Sequence, residues 1–222
     1  MTVLYAVALA IGGYLIGSIP SGYLMGKWVK GIDLRQYGSG TVSASMVWEH
    51  VARWAVVPVG VFDIVKAAIP TWLAMRLGLG WGAAVGAGFA AVVGHNWPVY
   101  LHFTGGRGLS PFMGVLLVLF PWGVAWMLGF LAVGFLVGDS APFALLSLVA
   151  LPVLVGRLGG PSVTSWAAGA MTLVTLVKRL QANGRPLPED AAQRRQVILL
   201  RIFFDRDIPS HKDWIRRMPA KG

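Results

Sequence analysis

Stretches of apolar residues long enough to cross a lipid bilayer are the strongest constraint in this chain. A hydrocarbon core about 30 Å thick, crossed by a helix rising about 1.5 Å per residue, asks for roughly 20 apolar residues. Residues 3–25, 54–75 and 81–101 satisfy that requirement. Residues 109–138 exceed it, and Pro121 followed by Trp122 and Gly123 supplies a break where two shorter helices meet. Residues 141–155 and 163–177 add two more runs, separated by the Gly- and Pro-containing segment 156–161. The expected fold is all-α, a polytopic membrane bundle of about seven transmembrane helices. The first run begins almost at Met1, without a charged n-region or a small-residue cleavage site, so it reads as a retained span and not as a signal peptide.

Composition agrees with that solvent. Of 222 residues, 56% are hydrophobic and 13% charged, where average soluble domains carry about 25% charge. The net charge of +10 is better placed on cytoplasmic loops and anionic lipid than on nucleic acid, because the apolar runs leave little soluble surface. Lys27, Lys30, Arg35 and Arg53 lie in the first loop, Arg107 in the third, and Lys178, Arg179 and Arg185 follow the last run. With seven spans these fall on one side, which predicts an N-terminus outside and a C-terminus in the cytoplasm, in the inner (plasma) membrane. There is no cysteine, and His50, His95, His102 and His211 have no metal-ligand spacing, so no metal site is expected. Composition changes after the last run. That divides the chain into a membrane part, 1–180, and a basic cytoplasmic tail, 181–222, whose apolar residues around Arg201 suit either an interfacial helix or a loosely docked segment.

Three places carry chemistry-bearing side chains. The first loop holds Asp33, Arg35 and the turn Gly38-Ser39-Gly40, whose glycines let backbone N–H groups converge on an anion. The third loop reads Gly105-Gly106-Arg107-Gly108, and a guanidinium there matches a phosphate bidentately. Each alone also suits an ordinary membrane-surface loop. Two on one face are what a reaction joining two phosphorylated substrates requires. Within the second run, Asp63 and Lys66 are three apart and share a helix face, as a functional pair or as a lock on the bundle. His95 and Asn96 end the third run beside the Arg107 loop; a histidine with its ordinary pKa of about 6.5 suits a general base, or simple hydrogen-bonded packing. The chain has no His-x-x-x-x-Asp, no Gly-x-Ser-x-Gly elbow and no Walker loop.

The order of these segments resembles the PlsY family, the membrane acyl-phosphate:glycerol-3-phosphate acyltransferases of bacterial phospholipid synthesis. The resemblance runs to about Asn183 through residues 17–24 (Gly-Ser-Ile-Pro-Ser-Gly-Tyr-Leu), residues 31–40, Asp63 with Lys66, Gly94-His95-Asn96-Trp97-Pro98 and residues 105–108. It implies a seven-helix enzyme with a cytoplasmic active site, acyl phosphate and glycerol 3-phosphate as substrates, membrane lipid around it, and no cofactor. It further implies Ser39, His95 and Asn96 at the reacting groups, and Arg35, Gly38, Gly40, Gly105, Gly106, Arg107 and Gly108 around phosphate, with Asp63 and Lys66 as a supporting ion pair.

The chain also departs from the family. Where the family has Gly-Ala-Thr-Asn and then an arginine, this chain reads Thr41-Val42-Ser43-Ala44-Ser45-Met46 and reaches Glu49, a carboxylate that Arg53, one turn on, would have to offset. Counting back from Arg179-Leu180, the family's His-x-x-Asn pair falls on Leu173 and Leu176. The phosphate-loop lysine is Arg107. Two readings follow: an active acyltransferase, or an impaired relative that binds acyl phosphate or an anionic headgroup without turnover. A transporter would call for inverted repeats or broken half-helices, and neither is found.

Overall fold

The computed structural model describes residues 1–218, so the last four residues of the 181–222 tail lie outside the described residues. Helices begin at once. The run 3–25, expected as one helix, is two: α1 (Thr2–Gly17) and α2 (Ser21–Lys30). Pro20 has no N–H to continue the ladder, and the chain opens over residues 18–20. The first loop then forms a short 3-10 turn (Leu34–Gln36) and the one-turn α3 (Ala44–Met46), which widens into a π-type turn (Val47–Val51).

The remaining helices follow the apolar runs. These are α4 (Val56–Arg76), α5 (Gly80–Asn96), α6 (Leu109–Leu119), α7 (Trp122–Val137), α8 (Ser140–Arg157) and α9 (Ser162–Gln181). The expected break at Pro121 separates α6 from α7. Beyond α9 the tail forms α10 (Ala191–Phe204) and α11 (His211–Ile215). No strand occurs among the described residues.

Helix faces point the way a lipid solvent requires. On α4, Val57, Val61, Val65 and Ile69 are exposed at four-residue spacing while Asp63 and Lys66 are buried. On α1, Leu4, Val7, Ile11 and Leu15 are likewise exposed. Apolar outside and charged inside is the arrangement of an integral membrane protein. Three helical stretches, Thr2–Lys30, Val56–Arg76 and Ser140–Arg157, are long and apolar enough to cross a bilayer by themselves.

With lipid on the outside, burial of apolar surface does little to drive helices together, so close backbone contact matters more. Gly13 and Gly17 of α1 face Ala87 and Ala91 of α5, and Gly94 faces the Tyr14 carbonyl; a Cβ at Gly17 or Gly94 would overlap the opposite backbone. The α5 helix is thereby enclosed by α1, α4, α6 and α9, while α7, α8 and α9 pack in sequence on the other side. Phe112, Leu116, Met127, Leu148, Leu151 and Met171 form the centre of the core. The first loop has a core of its own, with Leu34, Val42, Met46, Val47 and Leu101 buried against Val59 of α4.

The tail is docked, and not loose. Arg201, which interrupts its apolar run, is buried and binds Asp207 and the carbonyls of Leu180, Arg185 and Pro186. Arg206 pairs with Asp139 at the start of α8. Arg179 donates to the Ile202, Phe203 and Ala141 carbonyls, joining the end of α10 to α8 and α9.

Candidate active site

The break at Pro20 organises the interior. It leaves the Ile19 carbonyl outside any helix ladder and turns Ser21 toward α4. Ser21 Oγ donates to Asp63 Oδ1 at 2.7 Å. Lys66 Nζ lies 2.7 Å from the same carboxylate oxygen, 3.1 Å from the Ile19 carbonyl and 3.0 Å from His95 Nδ1. Asp63 Oδ1 is farther from His95 Nδ1, at 3.5 Å. The ring of His95 is held from its other side by Gly106, where a Cβ would strike Nε2. Its neighbour Asn96 points elsewhere, fully buried against Gly108 with neither side-chain polar atom hydrogen-bonded to the protein.

Above this cluster the two glycine-containing loops meet. Residues 182 and 183, both left-handed, end α9 and turn Asn183 inward; its Nδ2 donates to the Gly40 carbonyl at 3.0 Å and to the Gly105 carbonyl at 3.2 Å. One side chain from the end of α9 therefore ties the first loop to the third. In the first loop, hydroxyls alternate with apolar residues and form a chain: Ser39 to Thr41 at 2.8 Å, Thr41 to Ser43 at 2.9 Å, Ser43 to Ser45 at 2.9 Å. In the third loop, Arg107 aims its guanidinium across the site to the Asp205 carboxylate, with Nε at 2.9 and 2.8 Å from the two oxygens and a further contact from Nη2 at 2.8 Å. The first turn of α6, entered at Gly108, adds unpaired backbone N–H groups and the positive end of a helix dipole.

These groups share a cavity of about 640 Å³. Its polar lining includes the hydroxyl chain, Asp63, His95, Arg107, Thr175 and Arg179 together with the carboxylates of Glu49 and Asp205; its apolar lining includes Val56, Met113, Leu131, Phe135 and Ala144. A second hollow at the start of α5 and α9, beside Trp81 and Pro161, has no ionisable side chain.

Ser39, Asp63, His95, Arg107 and Gly108 of the expected site face the cavity, and Lys66 stands directly behind His95. Others do not. Arg35 is bound to Asp33 through Nε and Nη2, and that hydrogen bonding holds the Asp33 carboxyl below the usual carboxylate range. Gly38 donates its N–H to the Arg217 carbonyl and accepts from Arg185, while the Gly40 N–H closes onto the Tyr37 carbonyl. Gly105 and Gly106 stand behind the cavity wall, with the Gly106 N–H on the His95 carbonyl at 3.0 Å.

Two expected departures change meaning. Glu49 is not offset by Arg53, which stacks on Trp48; Arg216, from the tail, meets it at 3.0 Å. Leu173 does not stand in for an active-site group, because it is 64% exposed on the lipid side of α9. The inward face of that helix runs through Met171, Thr175 and Lys178, so the polar side chains three apart that turn inward are Thr175 and Lys178. Sequence reasoning missed Thr175 and the hydroxyls of Thr41, Ser43 and Ser45 as cavity-lining groups. The alternation at 39, 41, 43 and 45 was the available signal.

Comparison with known proteins is consistent across sequence and structure. A family model described as "Glycerol-3-phosphate acyltransferase" matches residues 7–187. Two relatives from Dehalococcoides mccartyi are similar over nearly the whole chain. "Glycerol-3-phosphate acyltransferase 5" is 36% identical over 96% of this chain and 94% of its own length. "Glycerol-3-phosphate acyltransferase 4" is 38% identical over 94% and 92%. Among solved structures, the glycerol 3-phosphate form of PlsY, an integral membrane glycerol 3-phosphate acyltransferase, superposes with a TM-score of 0.72 at 27% identity, covering 78% of this chain and 88% of that one. Its lysophosphatidic acid form gives 0.69 at 25% identity, covering 81% and 90%.

Proposed function

The chain belongs to the glycerol-3-phosphate acyltransferase family, membrane enzymes that acylate glycerol 3-phosphate in phospholipid synthesis, and from that premise we propose that this protein takes its acyl group from an acyl phosphate. The observation that carries the proposal is a cavity lined both by a guanidinium, a helix N-terminus and a chain of hydroxyls and by apolar side chains. An acyl phosphate has the same dual character. Arg107 and the α6 N-terminus hold its phosphate, and the acyl chain lies along Val56, Met113, Leu131 and Phe135. Glycerol 3-phosphate enters beside Ser39 and the hydroxyl chain.

The acceptor hydroxyl oxygen attacks the acyl carbonyl carbon, the bond from that carbon to the phosphate oxygen breaks, and the hydroxyl proton leaves with inorganic phosphate. The other product is lysophosphatidic acid. Because the mixed anhydride is already activated, holding the two reactants in line supplies much of the rate. Arg107 must exchange Asp205 for phosphate, a better-matched anion with more charge. Asn96 supports the α6 entry by packing on Gly108, and the glycines at 38, 40, 105 and 106 allow the loops to approach.

The same reading places the protein in the plasma membrane with seven spans, N-terminus outside, and the cavity mouth, the basic loops and the 181–222 tail in the cytoplasm. Purified protein in nanodiscs, given palmitoyl phosphate and labelled glycerol 3-phosphate, is expected to form lysophosphatidic acid. Saturable palmitoyl phosphate binding without turnover would show instead a binding protein built on the same fold.

A further inference from the structure

The hydrogen bonds around Lys66 assign a proton on its direct neighbour in the network, His95. An ammonium has three N–H bonds, and Lys66 has three acceptors within reach: Asp63 Oδ1 at 2.7 Å, the Ile19 carbonyl at 3.1 Å and His95 Nδ1 at 3.0 Å. Each N–H is thereby used. The third contact works only with His95 Nδ1 as acceptor, since an N–H on Nδ1 would face an ammonium N–H. Asp63 is the poorer partner for Nδ1, because it stands 3.5 Å away and its Oδ1 already accepts from Ser21 and Lys66.

A neutral imidazole that accepts at Nδ1 carries its proton on Nε2. That atom has no hydrogen-bond partner among the described residues, and His95 lines the cavity shared with Arg107. A second proton on the ring, at Nδ1, would face the Lys66 ammonium at 3.0 Å, whose charge already balances that of Asp63.

We propose that His95 serves the acyl transfer as a hydrogen-bond donor, its Nε2–H meeting the acyl carbonyl oxygen as that oxygen becomes an oxyanion. This rests on the acyltransferase reading above. The ground-state phosphate is matched by the permanent charge of Arg107, whereas a neutral donor fits an oxygen that gains its charge only in the transition state. Lys66 draws electron density through the ring and strengthens the donor. The Nε2 proton stays on histidine throughout, and the hydroxyl proton leaves with phosphate.

Two substitutions separate the roles. His95→Asn keeps an acceptor near Nδ1 for Lys66 but has no group reaching the Nε2 position; His95→Gln places an amide N–H near that position and cannot take up a proton. With thermal unfolding in detergent as the control for folding, the Asn variant is expected to lose about 10²–10³-fold in kcat, and the Gln variant to stay within about tenfold of the parent. Histidine-selective 15N NMR, with the Gln variant assigning the signal, is expected to find His95 protonated at Nε2 and bare at Nδ1. An Nδ1–H tautomer, or a folded Gln variant as inert as the Asn variant, overturns the proposal while leaving the acyltransferase reading intact. A parent protein that forms no lysophosphatidic acid overturns both, whatever the tautomer.

Discussion

Asp63 and Lys66 meet inside the bundle, where the two side chains are 3% and 1% exposed and every ammonium N–H has its own acceptor. Arg107 and Asp205 meet at the cavity wall, at 10% and 21% exposure, and the carboxylate is contributed by the tail. Both are ion pairs of similar length. They differ in what can replace a partner. Inside, the pair is almost closed from solvent, and a lost partner leaves a bare charge in low dielectric. At the wall, an incoming phosphate can take the place of Asp205. The inner pair is thus a fixed part of the scaffold and the outer pair an exchangeable contact at the substrate site.

The largest test of that contrast is Lys66→Ala. It strands Asp63 and removes the donor to His95 Nδ1, and should cost about 3–5 kcal/mol of stability, read as a lower unfolding temperature in detergent. Adding Asp63→Asn should recover much of the stability without recovering activity. Recovery of both would mean that the pair is only a lock.

Arg107→Ala should break the comparison from the other side, with catalysis lost and the fold kept. The expected fall is about 10²–10³-fold in kcat/KM with an unfolding temperature near that of the parent. A large loss of stability would place Arg107 with the inner pair.

Asp205→Asn should act in the opposite direction. Releasing Arg107 from a partly exposed pair is worth about 1 kcal/mol, or about fivefold in affinity, so KM for the phosphate-bearing substrate should fall. A rise in KM would mean that the tail carboxylate holds the guanidinium in its working position.

The smallest effect is expected at Arg35. Its partner Asp33 has a depressed pKa, so the pair adds stability above the unfolded carboxylate value of about 3.9, and that stability is lost as pH falls through the lower folded value. Arg35→Ala should weaken resistance to acid slightly and change activity at neutral pH by less than about twofold.

The same contrast explains what could be read from the chain before its fold was known. Apolar run lengths and Pro121 located the helices, because lipid imposes one pattern on every span. The break at Pro20 was hidden by the continuous apolar run around it. Asp63 with Lys66 was legible because the two are a helix turn apart. Arg107 with Asp205, Glu49 with Arg216 and Arg179 with the end of α10 were not, since each joins residues distant in sequence. Leu173 shows the limit of counting: a position transferred along a motif says nothing about which side of the helix faces the cavity.

Asn183 gives the site an order in time. Its side chain joins Gly40 to Gly105, yet it is made only after α9 has left the ribosome and entered the membrane. Until then the two loops meet through the apolar cluster of Leu101 with Leu34 and Val42, without that polar tie. The end of α9 therefore supplies the hydrogen bonds that fix the two loops against each other, and a chain interrupted before it lacks them.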